Sequence, residues 1–150
     1  MKTLLMTVLF MVSGSVFALD ECFTGSWFDP DRVGEGINVE VNKDGALTVA
    51  YFYTFDKRGR QIWYSMIGEE TLVMESTVVV DDVDFITKTV DVGTAAVEPI
   101  TNDVMVFGYV RLIEWNPIRK EFTLCDKEAD DTCEAIHVYR RLTQPIACTK

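Results

Sequence analysis

An alternation of side chains between Ile37 and Ile67 constrains this chain more than any other feature. Ile37, Val39 and Val41 share one parity, and Asn38, Glu40 and Asn42 the other. A period of two marks a strand with one face on a core and one in water. Asp44-Gly45 follows, and glycine accepts the positive φ that tight hairpin turns need. The next run, Ala46 to Phe55, is rich in β-formers. Tyr51, Tyr53 and Phe55 share one face, and Ala50, Phe52 and Thr54 the other. Bulk on both faces predicts a central strand. Lys57-Arg58-Gly59 predicts a second turn and Gln61 to Ile67 a third strand. Three strands joined by two short turns form a meander.

The rest of the chain continues in the same manner. Thr71 to Val80 reads as a strand that Asp81-Asp82 ends, and Phe85 to Val92 alternates again. Gly93 to Asp103 reads as a looser stretch, because Pro99 and Asn102 form turns. Asp103 to Trp115 predicts one long strand before the turn at Asn116-Pro117. There Met105, Phe107, Tyr109, Arg111 and Ile113 oppose Val104, Val106, Gly108, Val110 and Leu112. Glu121 to Cys125 and Glu134 to Leu142 predict a closing hairpin. No helix of convincing length emerges. The expected fold is all-β, an antiparallel meander of about eight or nine strands. Such a meander closes as a barrel or packs as a sandwich, and closure would remove exposed edges.

Residues 1–18 read as a cleaved signal peptide. Lys2 supplies the positive start, Leu4 to Val12 the apolar run, and Val16-Phe17-Ala18 the small-residue cleavage site. The apolar run is too short for a comfortable membrane span, so no span is expected after cleavage. Residues 19–150 then form a single domain, long enough for one core. The expected location is periplasmic or secreted. All four cysteines, Cys22, Cys125, Cys133 and Cys148, lie in this domain. An even count in an exported chain predicts two disulfides, with three possible connectivities. The favoured pairs are Cys125–Cys133, closing a local loop, and Cys22–Cys148, tying the ends. The second, closing a long loop, would contribute about 4 kcal/mol in the chain-entropy model. A single histidine and no C-x-x-C motif argue against a zinc site, and no metal or cofactor is expected. The formal net charge is −10 at pH 7, and a chain so acidic repels nucleic acid.

Gly25-Ser26-Trp27-Phe28-Asp29-Pro30, Gly34-Glu35-Gly36-Ile37-Asn38, Tyr53-Thr54-Phe55-Asp56, Gly59 and Trp63-Tyr64 form a spaced pattern over about forty residues. It resembles a widespread, functionally uncharacterised family of secreted bacterial domains, often repeated in tandem. The family's signature runs roughly G-x-W-[WYF]-x-P-x-x-x-G-x-G-[FIL]-N, then [YF]-T-[YF]-D-x-x-G-x-x-x-W. Val92-Gly93-Thr94-Ala95, Arg141-Leu142-Thr143 and Cys148 are similar to its later strands and terminal motif. An aromatic residue often stands between the paired glycines, where this chain has Glu35. That departure puts in doubt any function resting on an aromatic there. The G-x-W opening alone also resembles lipocalin and avidin barrels.

Four groups of residues offer candidate chemistry. Aromatic rings stack on sugars or line apolar pockets while polar neighbours fix hydroxyls. The candidate ligand-binding residues are therefore Trp27, Asp29, Arg32, Glu35, Tyr53, Trp63 and Tyr64; the bland alternative makes the rings core. Carboxylates including Asp29, Glu35 and Asp56 could serve a hydrolase, but a small all-β domain is an unusual one. His137 stands without a recognisable partner and reads as structural or exposed, so no catalytic residue is assigned. Asp126, Glu128, Asp130 and Asp131 supply hard oxygens for calcium but lack the glycine of a calcium loop. Lys57, Arg58 and Arg60 make a basic turn. The expectation is a non-catalytic binding domain for a carbohydrate or another small amphipathic ligand. The alternative is a module for an envelope or extracellular protein, such as a basic enzyme that it inhibits.

Overall fold

The computed structural model describes residues 19–42, 47–56, 58–81, 86–116, 118–126 and 133–143. A 3-10 turn, Glu21–Phe23, leads into β1, Gly25–Phe28. Then follow β2 (Gly36–Val41), β3 (Thr48–Phe55), β4 (Gln61–Gly68), β5 (Leu72–Asp81), β6 (Ile86–Thr101) and β7 (Val104–Arg111). The chain ends with β8 (Ile113–Asn116), β9 (Glu121–Leu124) and β10 (Glu134–Arg141). Strands β2 to β7 pair with their chain neighbours, all antiparallel. β10 returns to pair with β7 and β1, and β1 pairs with β2, so the ladder closes on itself. β8 and β9 form a separate hairpin.

Parity decides what lies inside. On β3, Thr48, Ala50, Phe52 and Thr54 are buried, while Tyr51 and Phe55 face outward. The second aromatic face thus meets solvent instead of a covering layer. Phe52 packs on Phe107, Tyr109 and Tyr64 at ring distances of 5.0, 5.3 and 6.0 Å. Tyr139 meets Phe107 edge-on at 5.7 Å. Trp27 belongs to β1 and is fully buried. It stacks on Phe23, and its indole N–H donates to the Phe23 carbonyl. The Arg141 guanidinium lies 4.3 Å from its ring centre. The same side chain donates to the carbonyls of Cys22, Thr24 and Asn102. One arginine therefore ties the first turn to the last strand.

Three strand expectations change. The stretch Gly93–Thr101 is not loose but continues β6, which runs sixteen residues. A Cβ at Gly93 would collide with the Val110 carbonyl, so only glycine lets β6 lie so close to β7. Pro99 is tolerated because it lies past the last residue paired with β5 and beside a register shift. The predicted single strand from Asp103 breaks at Leu112, which donates to the Val92 carbonyl and accepts from Cys125 N–H. β9 pairs with β8 rather than with β10, because β7 occupies the place beside β10. The Cys125–Cys133 bridge is formed, its Cα atoms 5.8 Å apart. Cys22–Cys148 includes a residue outside the described set, as do the Asp44-Gly45 turn, the signal segment, Lys57 and most of the acidic loop.

Candidate functional site

The loop from Asp29 to Glu35 is built by short-range polar contacts. Asp29 Oδ1 accepts from Asp31 N–H, and Glu35 N–H donates to the Arg32 carbonyl. Gly34 takes a φ of 89°, and a side chain there would meet the Phe55 ring. From this loop a chain of polar side chains enters one end of the barrel. Asp29 Oδ2 lies 3.3 Å from His137 Nδ1. His137 Nε2 lies 2.8 Å from Arg32 Nη1. Arg32 Nε pairs with Glu35, and Glu35 accepts from the Thr54 hydroxyl. A guanidinium only donates, so Nε2 accepts and Nδ1 carries the proton toward Asp29. His137, read from the sequence as structural or exposed, braces the loop against β10 with both ring nitrogens engaged.

A cavity of about 570 Å³ opens at the same end, beside the β3–β4 turn and β8. Tyr64, Ser76 and Arg111, all buried, reach it from β4, β5 and β7. Arg111 Nη1 donates to the Tyr64 hydroxyl at 2.8 Å, and the guanidinium carbon lies 5.8 Å from the Tyr64 ring centre. Ile62, Val92, Ile113 and Trp115 supply apolar surface. Trp115 is steadied by Phe122 across the β8–β9 hairpin, 5.1 Å between rings. Arg58 and the Asp56–Arg60 pair stand where the β3–β4 turn meets the cavity. Partial burial raises the Asp56 pKa, but the Arg60 backbone N–H, the Arg60 side chain and the Arg58 N–H outweigh it, and the net shift is downward. No known protein family, curated protein or solved structure matches the chain. Geometry and side-chain chemistry therefore carry the functional reading.

The seven residues expected to form one binding surface divide among four places. Trp27 is core. Asp29, Arg32 and Glu35 belong to the internal polar chain. Tyr53 lies over Gly36 on the outer face and pairs with Trp63, rings 5.3 Å apart. Trp63 is half-exposed and also borders the cavity, and Tyr64 points inward to it. Arg111, Ser76 and Ile113 were missed. Arg111 had a readable signal, since it shares the parity of Met105, Phe107 and Tyr109. A charge on a core-facing parity is more informative than an exposed apolar residue. A second, shallower groove runs outside across β6, β7 and β10, past Ala96, Gly108 and Ile136. Among the described residues Glu134 is the one charge along it. Among the described residues no cluster of three or more His, Cys, Asp or Glu could hold a metal, and no helix is long and apolar enough to cross a membrane.

Proposed function

We propose that this protein is an exported, non-catalytic binding domain that takes a small amphipathic ligand into the cavity at one end of its barrel. The observation that carries the reading is the cavity's make-up. Buried polar groups, Arg111, Tyr64 and Ser76, converge with apolar surface from Ile113 and Trp115 in about 570 Å³. Ligand sites combine these features, an apolar lining with a few fixed polar groups in a space of about 300–1,000 Å³. Export to the periplasm or beyond is supported by the signal-like residues 1–18 and the Cys125–Cys133 bridge. The hydrolase reading is disfavoured because Asp29 and Glu35 are each committed to internal partners.

Thermal shift of the oxidised protein against amphiphiles, glycans and calcium tests the reading. A ligand at about 100 times its Kd adds roughly 2.7 kcal/mol, which raises Tm by several degrees. Hits among amphiphiles that also change Trp115 fluorescence, and lose that change in Trp115→Phe, are expected. A flat response across the amphiphiles removes the proposal. Tyr51, Trp63 and Ile67, all exposed on the outer face of β3 and β4, together with the net charge of −10, favour a second reading, a docking face for a basic protein. Its salt-sensitive capture of such a partner would be abolished by Trp63→Ser.

A further inference from the structure

We propose that the cavity takes its ligand as an added β-strand, an extended peptide seated between β4 and β5. This rests on the cavity being the binding site and names the chemical class of what enters it. β4 begins at Gln61 and β5 runs on to Asp81, yet their shared register ends at the Ser65–Glu75 pair. Beyond that pair, among the described residues, each strand has a ladder partner on its far side only. Gln61, Ile62 and Trp63 pair with Phe55, Thr54 and Tyr53 of β3. Ser76, Thr77 and Val78 pair with Val90, Thr89 and Lys88 of β6. A register shift between Met74 and Glu75 lies just where the two strands part, and such irregularities bend a sheet. The cavity lies in this split, with Gln61, Ile62 and Trp63 lining it from β4 and Ser76, Thr77 and Val78 from β5.

A strand edge presents a row of backbone N–H and C=O groups that another extended chain can pair with. Two such edges bordering one space match a peptide backbone. They do not match an aliphatic tail, which neither donates nor accepts. Past the split β5 runs from Ser76 to Asp81, roughly 20 Å of edge at about 3.3 Å per residue. Strand addition draws affinity from main-chain bonds and specificity from places for alternate side chains. Parity supplies those places. Ile62 and Ile113 pack against the core, and buried Val92 lines the same space, so inward side chains of the peptide meet apolar surface. Trp63 and Thr77 are exposed, so the side chains between face water. A peptide with apolar residues at every second position fits both faces and is amphipathic as a strand.

The test uses the oxidised protein and calorimetric titration with four probes. The parent probe is a capped seven-residue peptide with valine at every second position, threonine and serine between, and lysine at both ends. Two further peptides keep its side chains but carry N-methyl groups on the amides of either the odd or the even positions. Decanol is the fourth. The parent should bind, and each N-methylated peptide should bind at least tenfold more weakly, because a strand held along both edges uses amides of both parities. Amide exchange within Gln61–Trp63 and Ser76–Val78 should slow at least tenfold when the parent is bound. N-methylated peptides that bind as tightly as the parent overturn strand addition. A loss confined to one N-methylated peptide overturns the seat between two edges, and exchange that slows only elsewhere overturns the place. Binding of decanol but of no peptide overturns the peptide assignment and leaves the cavity a ligand site. Failure of all four probes to bind overturns the assignment together with the cavity reading.

Discussion

Replacing Arg141 with methionine should destabilise the protein by about 3–4 kcal/mol. The side chain is almost wholly buried and contacts three backbone carbonyls in two separate segments. Nε donates to the Asn102 carbonyl at 2.7 Å, Nη2 to Cys22 at 2.7 Å and Nη1 to Thr24 at 3.2 Å. Bonds to a charged donor contribute about 1.5–3 kcal/mol each, and the stacking on Trp27 about 0.5–2 kcal/mol more. Methionine retains the apolar contact, and the Asn102 bond is exposed to water, so the sum is discounted. The carbonyls of Cys22 and Thr24 lose a donor in a partly buried place. Burial lowers the Arg141 pKa, and the Asp103 carboxylate opposes that. Urea titration at neutral pH measures the loss, which should lower Tm by about 10 °C. Arg141→Lys should recover less than half of it, because an ammonium cannot reach three carbonyls while stacking on a ring. A loss below about 1 kcal/mol in Arg141→Met, or full recovery in Arg141→Lys, would refute the clasp.

Alkali should destabilise the protein through two buried phenols. Burial first, then nearby Glu35 and Asp29, push the Tyr139 pKa up, and burial likewise raises that of Tyr109 against Arg111. Above about pH 10 the unfolded tyrosines lose protons that the folded ones keep, so stability falls as pH rises, by about 1.4 kcal/mol per unit per group. Urea midpoints from pH 9 to 11 should fall less steeply in Tyr139→Phe; equal slopes would count against the burial. Asp56 acts at the other extreme. Its lowered pKa makes its contribution present above about pH 4 and lost as pH falls further, so hydrogen exchange at Arg58 and Arg60 should accelerate there, and Asp56→Asn should remove that dependence. Glu35→Gln leaves the one-third-exposed Arg32 without its carboxylate and should cost about 2 kcal/mol by thermal melting, less than a fully buried pair. No measurable change would mean that the loop does not depend on that ion pair.

The period of two was enough to read the meander from β2 to β4 and the all-β class, because side-chain parity is a local property of an extended chain. The local disulfide was legible for a similar reason, as Cys125 and Cys133 are eight residues apart. Pro99 misled because its cost depends on whether a neighbouring strand needs its N–H, which only the length of β5 decides. β8 and β9 misled because pairing partners are chosen by which edges remain open once β7 has met β10.

The aromatic and polar motif residues from Trp27 to Tyr64 were found by sequence, yet their roles were set by which way each strand turned in three dimensions. Trp27 and Tyr64 took the inward parity, Tyr53 and Trp63 the outward one. Chemistry between distant residues had no local trace. His137 meets Asp29 and Arg32 across more than a hundred positions, and Arg111 meets Tyr64 across forty-seven. Composition and alternation thus determined the class of fold and its faces. Closure of the sheet determined the site, because the curved ladder brings the inward residues of β4, β5, β6 and β7 around one space.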